Sequence, residues 1–438
     1  MSEKSSEVSQ LKPRLSARLL NIVVPLLLSL IAGAITIELG LRHFYNLIPL
    51  QVCAADYIIA NYVCQPYFVY DKPIRIGYRY KPGMHREGWW DPANPYLTSA
   101  GDSTEPRERN DAFWYVMETD EMGFPNSEYK WRDAYDMIII GDSFITRTAP
   151  KTWIELLREE SGFSILTLGA PSWGTLGEAE AIKMYGLDKH PDWVLLTYFE
   201  GNDLLNVSQY LEKQASGLSW KEYDLKQVPW SRRLLTPHLV RYLFDGIIPQ
   251  DPSSDPPRYR YPVSARTEAG EIETVFNDIH LLPLSADYET LSRSREFAEI
   301  KRTLLELNAL VQAQGARFLV VYIPSKEHVL WSRIWDPVDV NNILERTVTV
   351  TLSEGDSGFL QWEPKILSYD VFNQNHNAQE RLFDDFASEA GIEFLNLTPI
   401  FWRQSIAQGE LYHYADPHWN QAGNELAAEA IWEYIHSH

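Results

Sequence analysis

The chain has 438 residues, and its 60 Asp and Glu against 39 Lys and Arg give a formal net charge of −21. This balance excludes a nucleic-acid-binding protein, because such a protein needs a basic face to meet phosphate. Hydrophobic residues make up 45% of the chain and charged residues 23%, so global disorder is also excluded. The two cysteines are too few for a disulfide framework or a four-cysteine zinc site.

An uncharged apolar run follows a polar N-terminal tail. Residues 1–18 are polar and carry four cations: Lys4, Lys12, Arg14 and Arg18. Residues 19–37 contain no charge, and a helix of about twenty apolar residues spans a bilayer core. Because the cations precede the run, we predict a cytoplasmic tail over 1–18 and a single transmembrane anchor over 19–41. The anchor would lie in the cell inner membrane, with the rest of the chain in the periplasm. The alternative is a signal peptide cleaved near residues 32–34, which also exports the chain.

Residues 42–133 are rich in Tyr, Trp, Pro and Asn and show only weak periodicity. We predict that they form an extracytoplasmic segment that wraps the main domain without a core of its own. Cys53 and Cys64 lie in this segment, shortly after the apolar run. Export would place them in an oxidising compartment, where a disulfide between them would close a small loop. The alternative is two free, buried thiols.

Short apolar runs alternate with helical patterns in the rest of the chain. Strands are predicted at residues 135–140, 163–168, 193–198, 317–323 and 393–397. Helices are predicted at 153–160, 178–185, from 294 to about 314, 377–390 and 420–435. This alternation predicts a parallel sheet flanked by helices. We therefore assign residues 134–438 to an α/β domain of three layers, α/β/α, with a mainly parallel sheet. The alternation stops over 206–290, where prolines are frequent, so this stretch is predicted to be a surface insertion.

The tripeptide Gly-Asp-Ser occurs three times, and only one copy has the context of a nucleophile. Ser143 follows the predicted strand 135–140 and precedes a helical pattern. A strand-to-helix turn of this kind exposes a serine hydroxyl with a helix N-terminus behind it. Ser103 and Ser357 lie in turn-like sequences with no strand before them. The alternative for Ser143 is an ordinary turn or a helix N-cap, roles that Asp and Ser fill readily.

The loops after the next two strands offer hydrogen-bond donors. Residues 169–177 are rich in glycine and small side chains, and such a loop can aim backbone N–H groups at a developing oxyanion. Asn202 follows the strand 193–198 and offers a side-chain amide. These loops and Ser143 all follow the carboxyl ends of parallel strands, where α/β sheets bind their ligands. Taken alone, the first loop also fits a helix-entry turn and the second an Asx-turn.

Asp416 and His418 flank a proline just before the last predicted helix. A neutral imidazole at His418 can accept the proton of Ser143, while Asp416 holds the other ring nitrogen and stabilises the imidazolium. The alternative is a helix-entry loop with a solvent-exposed histidine. His413 stands between two tyrosines and fits a hydrogen-bonded aromatic cluster better than a catalytic role.

Taken in order, these four segments resemble the sequence blocks of the SGNH (GDSL-type) hydrolase superfamily. The matching segments are Gly141-Asp142-Ser143, residues 169–174, Gly201-Asn202-Asp203 and Asp416-Pro417-His418. The resemblance covers residues 134–205 and 291–438. It implies a catalytic triad of Ser143, His418 and Asp416. It also implies an oxyanion hole made by the N–H of Ser143, the N–H of Ser172 at the second-block position, and the amide of Asn202.

This sequence departs from the family pattern at two places. Ser172 occupies the position where the family usually has a glycine in the second block. This change keeps the backbone N–H, but serine adopts the conformation of a tight turn less readily than glycine. Asp416 and His418 are spaced Asp-X-His, where many members have Asp-X-X-His. The shorter spacing is similar to that of the extracytoplasmic polysaccharide O-acetyltransferase and acetylesterase branch. Four residues in or next to these motifs are expected to bind substrate: Asp142, Gly169, Gly174 and Trp419.

The predicted function is an extracytoplasmic serine acyl-ester hydrolase that works through a Ser143 acyl-enzyme on an O-acetylated glycan or a similar ester. One alternative is a polysaccharide O-acetyltransferase with the same triad, and another is a non-catalytic glycan-binding or assembly subunit. No cofactor and no metal are predicted, since phosphate-loop and Cys/His metal spacings are missing from the sequence. The expected partners are an acylated glycan or small ester, the membrane, and a membrane-bound protein that supplies acyl groups. The net charge of −21 favours neutral or weakly charged esters over polyanionic glycans.

Overall fold

The computed structural model describes residues 8–44, 67–90, 112–244, 260–268, 270–334, 369–414 and 416–438, together with residues 48, 52 and 62. The chain divides into two compact units, Met1–Pro66 with Leu225–Gln250, and Tyr67–Asp224 with Asp251–His438. The predicted anchor belongs to the first unit and the predicted α/β domain mainly to the second. The predicted disulfide between Cys53 and Cys64 falls outside the described residues, as do Ser103 and Ser357.

The described strands pair into one larger sheet and three hairpin-like pairs. In chain order they are β1 (Phe68–Tyr70), β2 (Tyr78–Tyr80), β3 (His85–Trp90), β4 (Phe113–Glu118), β5 (Met137–Gly141), β6 (Ile165–Gly169), β7 (Trp193–Phe199), β8 (Arg260–Thr267), β9 (Gly270–Asn277), β10 (Arg317–Ile323) and β11 (Glu393–Asn396). The larger sheet has the order β11-β10-β7-β5-β6, and all its neighbouring strands run parallel. The pairs β1–β2, β3–β4 and β8–β9 are antiparallel.

Helices connect the strands of the larger sheet. In chain order the described α-helices are α1 (Val8–His43), α2 (Trp153–Ser161), α3 (Thr175–Ala181), α4 (Asp203–Ser216), α5 (Trp220–Gln227), α6 (Leu235–Phe244), α7 (Asp278–Leu284), α8 (Tyr288–Arg293), α9 (Arg295–Ala313), α10 (Lys326–Trp331), α11 (Tyr369–Asn375), α12 (Ala378–Ala390), α13 (Thr398–Gln408) and α14 (Gln421–Ser437). Local side chains define several of these ends. Thr152 and Glu155 form a capping box at the start of α2, and Ser294 caps α9.

Each strand of the larger sheet contributes side chains to two apolar layers, one on each face of the sheet. Ile138 and Ile140 of β5 lie in one layer with side chains of α3, α4, α9 and α12. Met137 and Ile139 of the same strand lie in the other layer with side chains of α2, α10, α13 and α14. Successive side chains of a strand point to opposite faces, so a continuous apolar run fills both layers at once. The predicted α/β class with a parallel sheet between helices is confirmed.

Segments outside the parallel sheet also enter these layers. Ile74, Ile76 and Tyr80 from the predicted wrap are buried in the first layer, so this part of the chain shares the main core. Val263 and Ile272 from the β8–β9 pair are buried in the second layer. The predicted insertion over 206–290 therefore starts inside α4 and contains a core hairpin. Sequence patterns missed this hairpin because a proline lies within β8, and proline argues against a regular strand.

α1 has the length and composition of a membrane-spanning helix. Its segment Asn21–His43 has 23 residues and a mean hydropathy of 2.3. Its apolar side chains are largely exposed. A signal sequence has the same apolar character, so cleavage remains the alternative to a retained anchor.

Candidate active site

Ser143 stands on a tight turn at the carboxyl end of β5. The Asp142 carboxylate accepts the backbone N–H of Phe144 at 3.0 Å and so caps a single 3₁₀ turn, Ser143–Ile145. The helix predicted at 153–160 is found as α2, which begins at Trp153, so it does not start directly behind the serine. The turn is thus held by a side-chain cap and not by the N-terminus of a long helix.

Two glycines let the strand ends meet beneath this turn. Gly141 and Gly169 are partners in the β5–β6 register. A Cβ on Gly169 would lie 2.1 Å from the carbonyl oxygen of Gly141, and a Cβ on Gly141 would lie 1.9 Å from Oγ1 of Thr197. Both positions therefore require glycine for packing. The substrate contact predicted for Gly169 stays a prediction, since packing already accounts for the residue.

The fold brings Ser143, His418 and Asp416 into one hydrogen-bonded chain. His418 Nε2 lies 2.7 Å from Ser143 Oγ, and His418 Nδ1 lies 2.5 Å from Asp416 Oδ1. The same Asp416 oxygen accepts the backbone N–H of His418 at 2.9 Å. Proline between the two residues stiffens the loop that brings the carboxylate back to its ring. In this arrangement an imidazole can withdraw the proton of a serine hydroxyl and so make it a nucleophile.

Asp416 and His418 determine each other's charge. Burial lowers the pKa of His418, but the charge and hydrogen bond of Asp416 outweigh it, so the pKa lies above the usual histidine value. Burial likewise raises the pKa of Asp416, and the attraction of His418 with its hydrogen bonds brings that pKa well below the usual range. Asp416 is therefore ionised at neutral pH, as is required to support an imidazolium.

A buried lysine, which the sequence did not single out, holds the loop of Asp416. Lys326 Nζ donates to the carbonyl oxygens of His413 at 3.0 Å, Tyr414 at 2.9 Å and Asp416 at 3.2 Å. Lys326 is 0% exposed. It follows the carboxyl end of β10, the same sheet edge that carries the other site residues, and that position was the available signal.

His413 has the structural environment expected of it. Its Nε2 lies 2.7 Å from the carbonyl oxygen of Thr148, and its ring meets Trp90 edge to face at 4.9 Å. The N–H of His413 also donates to the carbonyl oxygen of His418 at 3.0 Å. His413 thus connects the His418 loop to the β3–β4 pair. Trp419 follows His418 in the sequence; it is buried, and its ring centroid lies 4.9 Å from that of Phe144.

Asn202 lies next to the nucleophile. One carboxylate oxygen of Asp142 accepts hydrogen bonds from the Ser143 hydroxyl at 3.3 Å and from the Asn202 amide at 3.4 Å. Both distances are long for hydrogen bonds, so the amide is weakly held and can turn to an incoming oxygen. Burial raises the pKa of Asp142, while the Phe144 N–H and the charge of His418 oppose that rise.

Ser172 keeps the tight turn despite its side chain. Its φ of +60° lies in the left-handed region that glycine favours and other residues rarely adopt. This conformation costs an L-residue about 1 kcal/mol. The N–H of Ser172 has no partner among the described residues, so it is available to a ligand. Ser172 thus adopts a glycine-like conformation at a cost in local strain.

Gly174 joins the end of this loop to the core. A Cβ there would lie 3.0 Å from Cβ of Asn206 and 3.2 Å from the carbonyl oxygen of Asp203, so α3 and α4 approach closely at this point. Asn206 also donates its amide to the carbonyl of Trp173 at 3.0 Å. Packing accounts for Gly174 and Trp419, and the cap of the Ser143 turn accounts for Asp142, so the substrate contacts predicted for all three stay predictions.

Two further acids are buried near Asp142. Neither carboxyl oxygen of Glu178, on α3, has a hydrogen-bond partner within the described part of the chain. Asp203 Oδ2 accepts the N–H of Phe199 at 3.0 Å, whereas Oδ1 has no described partner. Burial raises the pKa of both groups well above the usual values, and neighbouring carboxylates add to the effect.

No family model matches the sequence, and no curated protein is similar to it. Solved structures to which it is similar include an acetyl xylan esterase, at 10% identity and a TM-score of 0.31, covering 68% of this chain and 99% of that one. A protein from Slackia heliotrinireducens assigned to the SGNH hydrolases is similar at 12% identity and a TM-score of 0.32, covering 69% and 99%. An acetyl-xylooligosaccharide esterase variant from Geobacillus is similar at 12% identity and a TM-score of 0.30, covering 70% and 96%. At such values the likeness carries no argument about activity, which has to come from the site.

Proposed function

We propose that this protein is a serine acyl-ester hydrolase of the SGNH type, anchored by α1 in the inner membrane and active outside the cytoplasm. The observation that carries the proposal is the continuous chain from Asp416 through His418 to the Ser143 hydroxyl, at 2.5 Å and 2.7 Å. Asn202 and the unpartnered N–H of Ser172 stand at the same edge of the sheet as donors for the acyl oxygen.

In the proposed reaction, Ser143 Oγ attacks the carbonyl carbon of the ester while its proton passes to His418 Nε2. The carbonyl oxygen becomes an oxyanion that accepts hydrogen bonds from the Asn202 amide and the N–H groups of Ser143 and Ser172. The bond to the alcohol oxygen then breaks, and His418 gives its proton to that oxygen. Asp416 stays ionised throughout and supports the imidazolium. Water, activated by His418, releases the acyl group in the second half and restores Ser143.

The substrate we propose is an O-acetylated glycan or a similar neutral ester. The net charge of −21 disfavours a polyanionic chain. A polysaccharide O-acetyltransferase is the second candidate, because a sugar hydroxyl can replace water in the second half-reaction. That candidate is suggested by the Asp-X-His spacing and would require a membrane-bound protein that supplies acyl groups.

The test is acetate release from p-nitrophenyl acetate by the full chain and by Ser143→Ala. We expect a loss of about 10⁴-fold or more in kcat, because the nucleophile is removed. Ser127→Ala, an exposed serine in the same unit, is the matched control and should leave kcat unchanged. Equal rates for wild type and Ser143→Ala would overturn the nucleophile assignment.

A second measurement separates the alternatives. A fluorophosphonate probe should label wild type and leave Ser143→Ala unlabelled. If the folded wild-type protein is not labelled, the result favours the non-catalytic glycan-binding role over hydrolysis. If an acyl-serine accumulates in water and is discharged by an added glycan, the transferase replaces the hydrolase.

A further inference from the structure

A carboxylate near the end of the apolar helix α1 caps another helix. Glu38 accepts the backbone N–H of Leu235 at 3.1 Å and that of Thr236 at 2.9 Å, together with the Thr236 hydroxyl at 2.8 Å. Leu235 and Thr236 open α6. Arg42, one turn after Glu38, pairs with its carboxylate at 2.8 Å and donates to the carbonyl oxygen of Arg233. The start of α6 is therefore tied to the last two turns of α1.

The position of this tie fits the surface of a bilayer. The apolar segment Asn21–His43 has 23 residues, and at a rise of about 1.5 Å per residue it is slightly longer than a hydrocarbon core of about 30 Å. Its last residues then reach the headgroups. Glu38 lies five residues before the end of α1, or about 7.5 Å along the axis. The tie between α1 and α6 therefore lies close to the end of α1 that reaches the headgroups.

α6 presents an apolar face that the described chain leaves exposed. Val240, Leu243 and Phe244 stand at the i, i+3 and i+4 positions that share one side of a helix. They are 48%, 63% and 45% exposed. Trp230, in the short turn before α6, is 71% exposed. Large apolar side chains in such a group mark an interaction surface.

The charge of this stretch is the opposite of that of the chain as a whole. Residues 225–244 contain no Asp or Glu, although the chain carries a net charge of −21. They contain four cations: Lys226, Arg232, Arg233 and Arg241. Cations close in sequence to an apolar helical face, with an exposed tryptophan, are typical of segments that lie on phospholipid headgroups.

We propose that α6 lies in the headgroup layer of the bilayer that α1 spans, with Val240, Leu243 and Phe244 turned into the lipid. This inference rests on the membrane anchor of the proposed function. Glu38 and Arg42 fix the start of α6 at that depth. The protein thus has two membrane contacts, a spanning helix and an interfacial helix, and the second one restricts rotation about the first.

The test uses the full chain in vesicles of phosphatidylethanolamine and phosphatidylglycerol that contain doxyl-labelled lipid. An environment-sensitive fluorophore is attached to Leu243→Cys, and the signal of the parent protein corrects for labelling of its native cysteines. The matched control is Tyr242→Cys, which is exposed and lies about 150° around the helix from the centre of the apolar face. We expect quenching at position 243 to exceed that at position 242 several-fold.

Leu28→Cys, in the middle of α1, separates the two proposals. If position 28 is quenched and positions 243 and 242 are quenched equally or not at all, the interfacial helix is overturned while the anchor stands. If position 28 is unquenched, or absent from the mature chain by mass, the anchor fails and the interfacial helix fails with it. The label at position 243 could instead be blue-shifted only at a high ratio of protein to lipid and not be quenched by the doxyl lipid. That result would show that the apolar face of α6 contacts a second copy of the chain, and it would overturn the proposal.

The tie to α1 has its own readout. Glu38→Leu keeps α1 apolar and removes the cap of α6. We expect the difference in quenching between positions 243 and 242 to fall by at least half. An unchanged difference would overturn the role of Glu38 while leaving the membrane contact itself supported.

Discussion

Two buried acids of the second unit, Asp416 and Glu178, have pKa values shifted in opposite directions although both are removed from water. Asp416 touches an imidazole at 2.5 Å and accepts the N–H of His418 at 2.9 Å, and its pKa falls well below the usual range. Glu178 has no hydrogen-bond partner for either carboxyl oxygen in the regions that the structure describes, and its pKa rises. Burial raises the pKa in both cases, so the partner and not the burial determines which acid carries charge.

The environment of Asp142 is intermediate between those of Asp416 and Glu178. Asp142 accepts the N–H of Phe144 at 3.0 Å and faces His418, yet burial still raises its pKa. The pKa directions therefore favour negative charge on Asp416, behind the histidine, over negative charge on Asp142 and Glu178.

Among substitutions that test this contrast between buried acids, Asp416→Asn is expected to have the largest effect. We expect kcat to fall by about 10⁴-fold, because the amide favours the wrong tautomer of His418 and cannot support the imidazolium. His418 must be neutral to accept a proton, so wild-type activity is lost as pH falls through its raised pKa. Without Asp416 that acid limb should move to lower pH in a profile of kcat/KM. Asp192→Asn, exposed at the amino end of β7, is the control. Retention of wild-type kcat by Asp416→Asn would contradict the assignment.

Removing the support of the Asp416 loop is the next test. Lys326→Met keeps the length of the side chain and leaves the carbonyl groups of His413, Tyr414 and Asp416 without its ammonium. We expect the free energy of unfolding in urea to fall by about 3 kcal/mol, since buried unpaired carbonyls are costly. We also expect kcat to fall more than KM rises, because the loop carries the base. Lys130→Met on the surface should change neither quantity. An unaltered kcat in folded Lys326→Met would remove its positioning role.

The smallest effect is expected at Glu178. A group whose pKa is raised by folding binds more protons in the folded state, so its contribution to stability declines as pH rises above its unfolded pKa. The decline is at most about 1.4 kcal/mol per pH unit for one proton. Glu178→Gln should therefore flatten the fall in unfolding free energy between pH 5 and 8. Glu180→Gln, on the same helix and paired with Lys183 at 3.1 Å, is the matched control. Identical slopes for wild type and Glu178→Gln would show that Glu178 is ionised in the folded protein.

The strands and most helices were predictable because their signals are local. A buried parallel strand is a continuous apolar run, and predicted strand 317–323 coincides with β10. The start of α2 was also predictable, because Thr152 and Glu155 are three residues apart in the sequence. The β8–β9 hairpin was missed, since a proline lies within β8 and proline argues against a regular strand.

By itself, the sequence determined the parallel α/β class, the apolar helix near the N-terminus, and the identity of Ser143, His418, Asp416 and Asn202 as candidates. These follow from short patterns of residue type, which do not depend on where the chain goes next. Only the tertiary structure decided that Ser143 and His418 meet at 2.7 Å, that Lys326 holds the Asp416 loop, and that Glu38 caps α6. Each of these contacts joins residues that are far apart in the chain. Their partners are chosen by how the layers pack, and no local pattern records that choice.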